Sequence, residues 1–173
     1  PSIARKPIPT NGSLRRAFFM RGDMTAAFFQ AVRKMAGGAL KQSQVDHLNR
    51  ILAASAGLQR SHRAYILATA WHETGRFKHL REVWGPTAAQ KRYEGRADLG
   101  NTVAGDGKRF LGRGYVQITG RRNYTDWSKR LGIDLVGKPE QAEKPEIAAQ
   151  IIVEGMRLGT FTGKKLADYP GDY

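Results

Sequence analysis

Apolar positions recur at three- and four-residue spacing through much of the chain, lose that rhythm between residues 76 and 121, and then regain it. Asp23 is a suitable N-cap for a helix over 24–36, with Phe28, Val32 and Met35 on one face and Gly37-Gly38 as its stop. Ser43 opens a second helix, whose stripe is Val45, Leu48, Ile51 and Leu52 and whose stop is Gly57. Ser61 opens a third, over 61–73. Ala64, Tyr65, Ile66, Leu67, Ala68, Ala70 and Trp71 leave it almost no polar face, which predicts a central helix buried all round and ending in His72-Glu73. Gly105-Asp106-Gly107 predicts a tight turn between short strands. Residues 115–119 alternate, with Val116 and Ile118 on one face and Tyr115, Gln117 and Thr119 on the other. Helical spacing returns at Tyr124, Trp127 and Leu131, closed by Gly132. It continues from Pro145 through Ile147, Ile151, Ile152 and Met156 to Gly159, with a last short turn over 164–169.

These elements predict a mostly α (α+β) fold: one helical domain over 23–173 with a small β-hairpin region. Before it, residues 1–22 hold Pro1, Pro7, Pro9 and an Asn11-Gly12 turn signal, with at most a short helix over 14–20. They read either as a flexible leader or as a basic-aromatic arm that touches an anionic surface. The length of 173 residues suits one well-packed core. No apolar run approaches a membrane span. No signal-peptide pattern opens the chain, and synthesis in a reducing cytoplasm is expected. With no cysteine there is neither a disulfide framework nor a thiolate nucleophile.

Charge changes the picture more. The formal net charge of +14 implies a polyanionic partner, whether nucleic acid, anionic lipid or an acidic wall polymer. No nucleic-acid recognition motif is present, so specific nucleic-acid binding is not expected. From Met24 to His72 the only acid is Asp46, which shortens the roll of carboxylates available for chemistry.

His72-Glu73 lacks the second histidine of a zinc protease, because position 76 is Arg76. His47, His62 and His79 form no ligand cluster, so no metal or other cofactor is implied. The glycine-rich run over 105–114 lacks the Gly-Lys-Ser/Thr ending of a phosphate loop. Paired carboxylates remain. Glu73, at an apolar helix end, is the candidate general acid. Glu82 is nine residues on and faces it only if the helix breaks, which Gly75 permits. Glu82 otherwise pairs with neighbouring cations, and Glu94, Asp98 and Asp106 are rival bases. Gln117 and Thr119 offer an amide and a hydroxyl to a water or a sugar hydroxyl. Tyr93, Tyr115 and Trp84 are either sugar platforms or ordinary packing, and Trp71 belongs to the core.

His72-Glu73-Thr74-Gly75, Tyr93-Glu94-Gly95-Arg96 and the run from Gly112-Arg113-Gly114 through Gln117-Ile118-Thr119-Gly120 to Asn123-Tyr124 together resemble the family 19 glycoside hydrolases. That family comprises plant-type chitinases and chitinase-like endolysins of bacteriophages and prophages. The resemblance covers about residues 24–169. It implies a lysozyme-like fold with the hairpin beside the active-site cleft, and an inverting mechanism. Glu73 matches the general acid, Glu82 the base that activates water, and Thr119 the hydroxyl that positions it. Gln117 and Asn123 match cleft positions, and Arg113 of the same motif joins Tyr93, Tyr115 and Trp84 in the substrate-binding set.

The absence of plant-type disulfides favours the phage or bacterial branch. The expected protein is therefore a monomeric endolysin. It would cleave β-1,4 linkages of peptidoglycan, be held on an anionic wall or outer-membrane surface by its charge, and act in the periplasm after release. Chitin hydrolysis is the alternative, or glycan and polyanion binding with little activity. The family pattern runs past the 159–163 region into a further Asn/Arg-bearing cleft helix, whereas this sequence ends at Tyr173. That predicts a shorter far wall.

Overall fold

The computed structural model describes residues 22–170. The basic arm and the short helix expected over 14–20 lie outside the described residues, as does the side chain of Asp23. The chain divides into two compact units, the first ending at Lys41 and the second beginning at Gln42.

In the first unit, α1 spans Gly22–Ala36. The amide of Gly38 bonds to Arg33 O (2.8 Å) and that of Gly37 to Lys34 O (3.3 Å), so the glycine pair ends the helix as its sequence predicts. The apolar face is thinner than expected, since Met35 is 79% exposed.

The second unit carries α2 (Gln42–Ala54), α3 (Arg60–Glu73), the short α4 (Ala88–Lys91) and α5 (Asp106–Arg109), α6 (Arg121–Leu131) and α7 (Pro145–Leu158). Helices α2 and α3 start one residue before Ser43 and Ser61, which sit in their first turns and are not caps. Left-handed glycines, Gly132 and Gly159, close α6 and α7.

The central helix is α7, not α3. Ile147, Ala148, Ala149, Ile151, Ile152, Val153, Gly155 and Met156 are all buried, and the small residues among them let α2 and α3 approach closely. α3 buries only Ile66, Leu67 and Ala70. Its Tyr65, Thr69 and Glu73, four residues apart, form a stripe that no other element covers. The expectation of a helix buried all round therefore fails, because apolar composition on a helix does not say which face meets a partner.

No hairpin of strands forms among the described residues; there are only isolated bridges, Arg81 to Arg113 and Arg113 to Ile118. Residues 114–117 are a turn. Arg113 and Ile118 exchange backbone bonds of 3.3 and 3.0 Å across it, and Gln117 takes a left-handed φ of 50°. Five residues between glycines alternate in a turn as readily as in a strand. Gly105-Asp106-Gly107 is likewise the start of α5, not a turn between strands. This irregular region packs on a core of Phe110, Ile118, Tyr124, Trp127, Leu135, Ala142, Ile147 and Ile151, which fixes it against α6 and α7.

Candidate active site

A cleft of about 610 Å³ opens between three walls of the second unit. α3 contributes Tyr65, Thr69 and Glu73; the turn contributes Val116, Gln117, Ile118 and Thr119. α6 adds Asn123, Asp126, Trp127 and Arg130, and the segment after α7 closes the cleft with residues from Thr160 to Tyr169.

Glu73 is exposed in this cleft and so lacks the burial its sequence context suggested. Its position is set by the turn that follows. Gly75, Arg76 and Phe77 all have left-handed φ (55°, 67° and 61°), an arrangement that opposes two side-chain-bearing residues. Buried Thr74 holds it. The Thr74 hydroxyl donates to Ala70 O (2.6 Å) and accepts from Phe77 N (2.8 Å), while Arg76 N donates to Trp71 O (2.7 Å). Phe77 then enters an aromatic box with Trp71, His47 and Tyr115.

Thr74→Val keeps the shape and removes the hydroxyl, leaving the buried Phe77 amide without its acceptor. The expected loss is about 1–3 kcal/mol, a fall in Tm of roughly 3–10 °C by calorimetry, with no other fold change.

Tyr115 belongs to that box and not to the cleft. It is fully buried, and its hydroxyl shares a 2.8 Å hydrogen bond with His47 Nδ1. Burial raises the Tyr115 hydroxyl far above its ordinary value and lowers His47, so a neutral phenol meets a neutral imidazole. Arg113 is also withdrawn from substrate. At 4% exposure it donates to Glu143 (2.7 Å), Arg109 O (2.9 Å) and the Tyr124 hydroxyl (2.9 Å). Both residues therefore leave the substrate-binding set; a tyrosine or arginine in a glycine-rich motif satisfies its polar tip as well inside as outside.

Glu82 does not line the cleft; its carboxylate meets the backbone at Gly112, close to where the Gln117 side chain also lies. Its Oε1 accepts from Gln90 Nε2 (3.0 Å) and the Tyr93 hydroxyl (3.4 Å), and its Oε2 from Gly112 N (3.0 Å). No cation holds it among the described residues. Gln90, 5% exposed, spends its whole amide here. Its second N–H contact is Val83 O, and its Oε1 accepts from Gly85 N and Thr87 N. Tyr93 stays protonated, raised by burial first and by the Glu82 charge second. Trp84 stands near Tyr93, with ring centroids 6.5 Å apart, and neither lines the cleft. A Cβ on Gly112 would lie 2.9 Å from Gln117 Oε1 and 3.3 Å from Glu82 Oε2, so glycine is what lets these two side chains converge.

Gln117, Thr119 and Asn123 all reach the cleft, as expected. Thr119 Oγ1 donates to Gln117 O (2.9 Å), leaving lone pairs for a water. Gln117 Nε2 donates to Gly114 O (2.8 Å), and Asn123 Nδ2 to Thr119 O (2.7 Å), so the three brace one turn.

The rival carboxylates have structural tasks. Glu94 accepts from Gly105 N and Gly107 N at the start of α5. Asp98 pairs with Arg96, whose hydrogen bonds hold it at about 2. Asp106, 1% exposed, is gripped by Arg121. Residues absent from the sequence-based set are Thr74, Gln90, Asp126 and the cleft aromatics Tyr65, Phe161 and Tyr169. The four-residue spacing of Tyr65, Thr69 and Glu73 was the signal for the first of those aromatics. Among the described residues no cluster of histidine and acidic groups is arranged for a metal.

No family model matches the chain. It is 29% identical over 126 residues to the basic endochitinase CHB4 of Brassica napus, covering 68% of this chain and 45% of that protein. It is 28% identical over 141 residues to endochitinase At2g43590 of Arabidopsis thaliana, covering 76% and 49%. A glycosyl hydrolase family 19 domain-containing protein of Haemophilus influenzae is 30% identical over 105 residues, covering 45% and 52%. The chain thus spans about half the length of the curated relatives it matches. Among solved structures, chitinase C from Streptomyces griseus is 22% identical with a TM-score of 0.46, over 65% of this chain and 46% of that one. A bacterial family 19 chitinase is 23% identical with a TM-score of 0.47, over 65% and 57%. The homologues of this chain are family 19 chitinases and a bacterial protein with a family 19 domain.

Proposed function

We propose that this chain, a homologue of the family 19 glycoside hydrolases, is a wall-lytic glycosidase that cleaves β-1,4 linkages of peptidoglycan with inversion. The observation that carries the reading is Glu73 at the end of the α3 stripe, in one cleft with Gln117, Thr119 and Asn123, while Glu94, Asp98 and Asp106 are each committed elsewhere.

In this mechanism Glu73 protonates the glycosidic oxygen as the bond to the anomeric carbon breaks. A water on the opposite face, held by the free lone pairs of Thr119, attacks that carbon and releases its proton to the base. Glu82 is the residue we assign as base, reached past Gln117, with Gln90, Tyr93 and Gly112 N fixing its orientation. Glu73 is left ionised and Glu82 protonated, and exchange with solvent resets both. The net charge of +14 would concentrate the protein on an anionic bacterial wall.

Hydrolysis of chitin oligomers is the second reading, favoured by the plant relatives, which are named endochitinases. Turbidity loss of outer-membrane-permeabilised Gram-negative cells, set beside cleavage of chitin oligomers, separates the two. On either substrate the first product released should be the α-anomer, followed by NMR before mutarotation. A β-anomer would remove Glu82 as a water-activating base.

A further inference from the structure

Tyr65 lies eight residues, about 12 Å, before Glu73 on α3, and Tyr169 O meets His62 at the start of the same helix, so this part of the cleft stands apart from Glu73. Three of the exposed large apolar side chains line it: Tyr65 (61% exposed), Tyr169 (59%) and Phe161 (38%). Cations stand among them. The Arg130 guanidinium lies 5.8 Å over the Trp127 ring, which in turn sits 6.2 Å from Phe161, so the charge is held on a ladder of rings. Lys164 and Lys165 line the same segment.

None of the three cations belongs to a salt bridge among the described residues. Asn123 is bonded to Thr119, and Arg130 lies seven residues further along α6, about 10 Å on. Arg130 therefore stands about two helical turns from Asn123, and the two lysines line the segment that closes the cleft. Flat exposed rings beside unpaired cations suit a sugar chain that carries carboxylates, and suit a neutral one less well. Chitin is uncharged, whereas alternate sugars of peptidoglycan bear a lactyl group that ends in a carboxylate or in an acidic peptide.

We propose that Tyr65 and Tyr169 stack on sugar faces while Arg130, Lys164 and Lys165 bind those carboxylates, making this end of the cleft a subsite that selects acidic glycans. The proposal rests on the hydrolase reading above and sharpens its substrate.

The test compares wild type with the double variant Lys164→Gln/Lys165→Gln on purified peptidoglycan sacculi and on chitin hexamer. KM on sacculi should rise about tenfold with kcat little changed, and KM on the hexamer should stay within about twofold. Wild-type turnover of sacculi should fall more steeply with added salt than that of the variant. Tyr65→Ala should raise KM about 2- to 10-fold on both glycans. Equal shifts on the two glycans in the lysine variant, or no shift on either, would overturn the subsite and leave the hydrolase reading standing. A wild type that cleaves neither glycan would bring down that reading, and the subsite with it.

Discussion

Glu73→Gln should lower glycan cleavage by about 10³-fold or more, roughly 4 kcal/mol of transition-state stabilisation. Its thermal midpoint should match wild type within about 2 °C. The separation of the two effects follows from position. Glu73 is exposed at the last residue of α3, and the substitution changes a hydroxyl-sized group in open solvent, so the fold has little to lose. The chemistry loses the one carboxyl on the α3 wall, whose other two cleft residues are the phenol of Tyr65 and the alcohol of Thr69. Initial rates on sacculi and on chitin oligomers, read beside calorimetry, check both halves. A variant that lyses walls as fast as wild type would remove Glu73 as the acid and overturn this glycosidase mechanism.

Asp106→Asn should have the opposite profile, with a large loss of stability and a smaller effect on chemistry. Asp106 is 1% exposed and accepts from Arg121 Nε at 2.7 Å, from Arg121 Nη2, and from Val103 N at 3.1 Å. Arg121 also lies 4.8 Å over the Phe110 ring, and its amide donates to Asn101, which donates in turn to Tyr93 O. One carboxylate thus ties the start of α6 to the loop before α5. Removing its charge leaves the guanidinium partly buried and unmatched, at a cost of about 3 kcal/mol or roughly 6–12 °C in Tm.

The same pair sets a pH dependence. The hydrogen bonds from Arg121 hold the Asp106 carboxyl below the ordinary carboxylate range in the folded protein. The unfolded chain therefore takes up this proton first as acid is added. The stability it contributes is complete above about pH 4 and is lost as pH falls through the depressed folded value. Below about pH 4 the wild-type Tm should drop more steeply than that of Asp106→Asn, and the two melting curves should approach each other.

How far the sequence carried this reading depends on the range of the interaction involved. Helix stops at Gly37-Gly38, Gly132 and Gly159 were legible because a left-handed cap is decided within one turn. Gln117, Thr119 and Asn123 come to one cleft because a single short motif carries them, while Glu73 joins them from a separate motif at the end of α3. Tyr115 was misplaced because its partner, His47, is distant in sequence, and no local pattern announces an aromatic box. Arg113 was misplaced for the same reason, its anion Glu143 lying 30 residues later, beyond α6. The 115–119 segment alternated as a strand does, yet the positive φ of Gln117 turns it back on itself. Tyr65 sat inside an apolar run, and although its four-residue spacing from Thr69 and Glu73 puts all three on one face, the packing of α3 against α2 and α7 is what leaves that face uncovered.

Gly112 has a consequence for how this site tolerates change. A single added carbon there would crowd the Gln117 amide oxygen at 2.9 Å and the Glu82 carboxylate at 3.3 Å at the same time. Any side chain at position 112 must therefore displace the cleft lining, the carboxylate behind the Gly112 amide, or both, so this one position links the placement of two side chains that are distant in sequence.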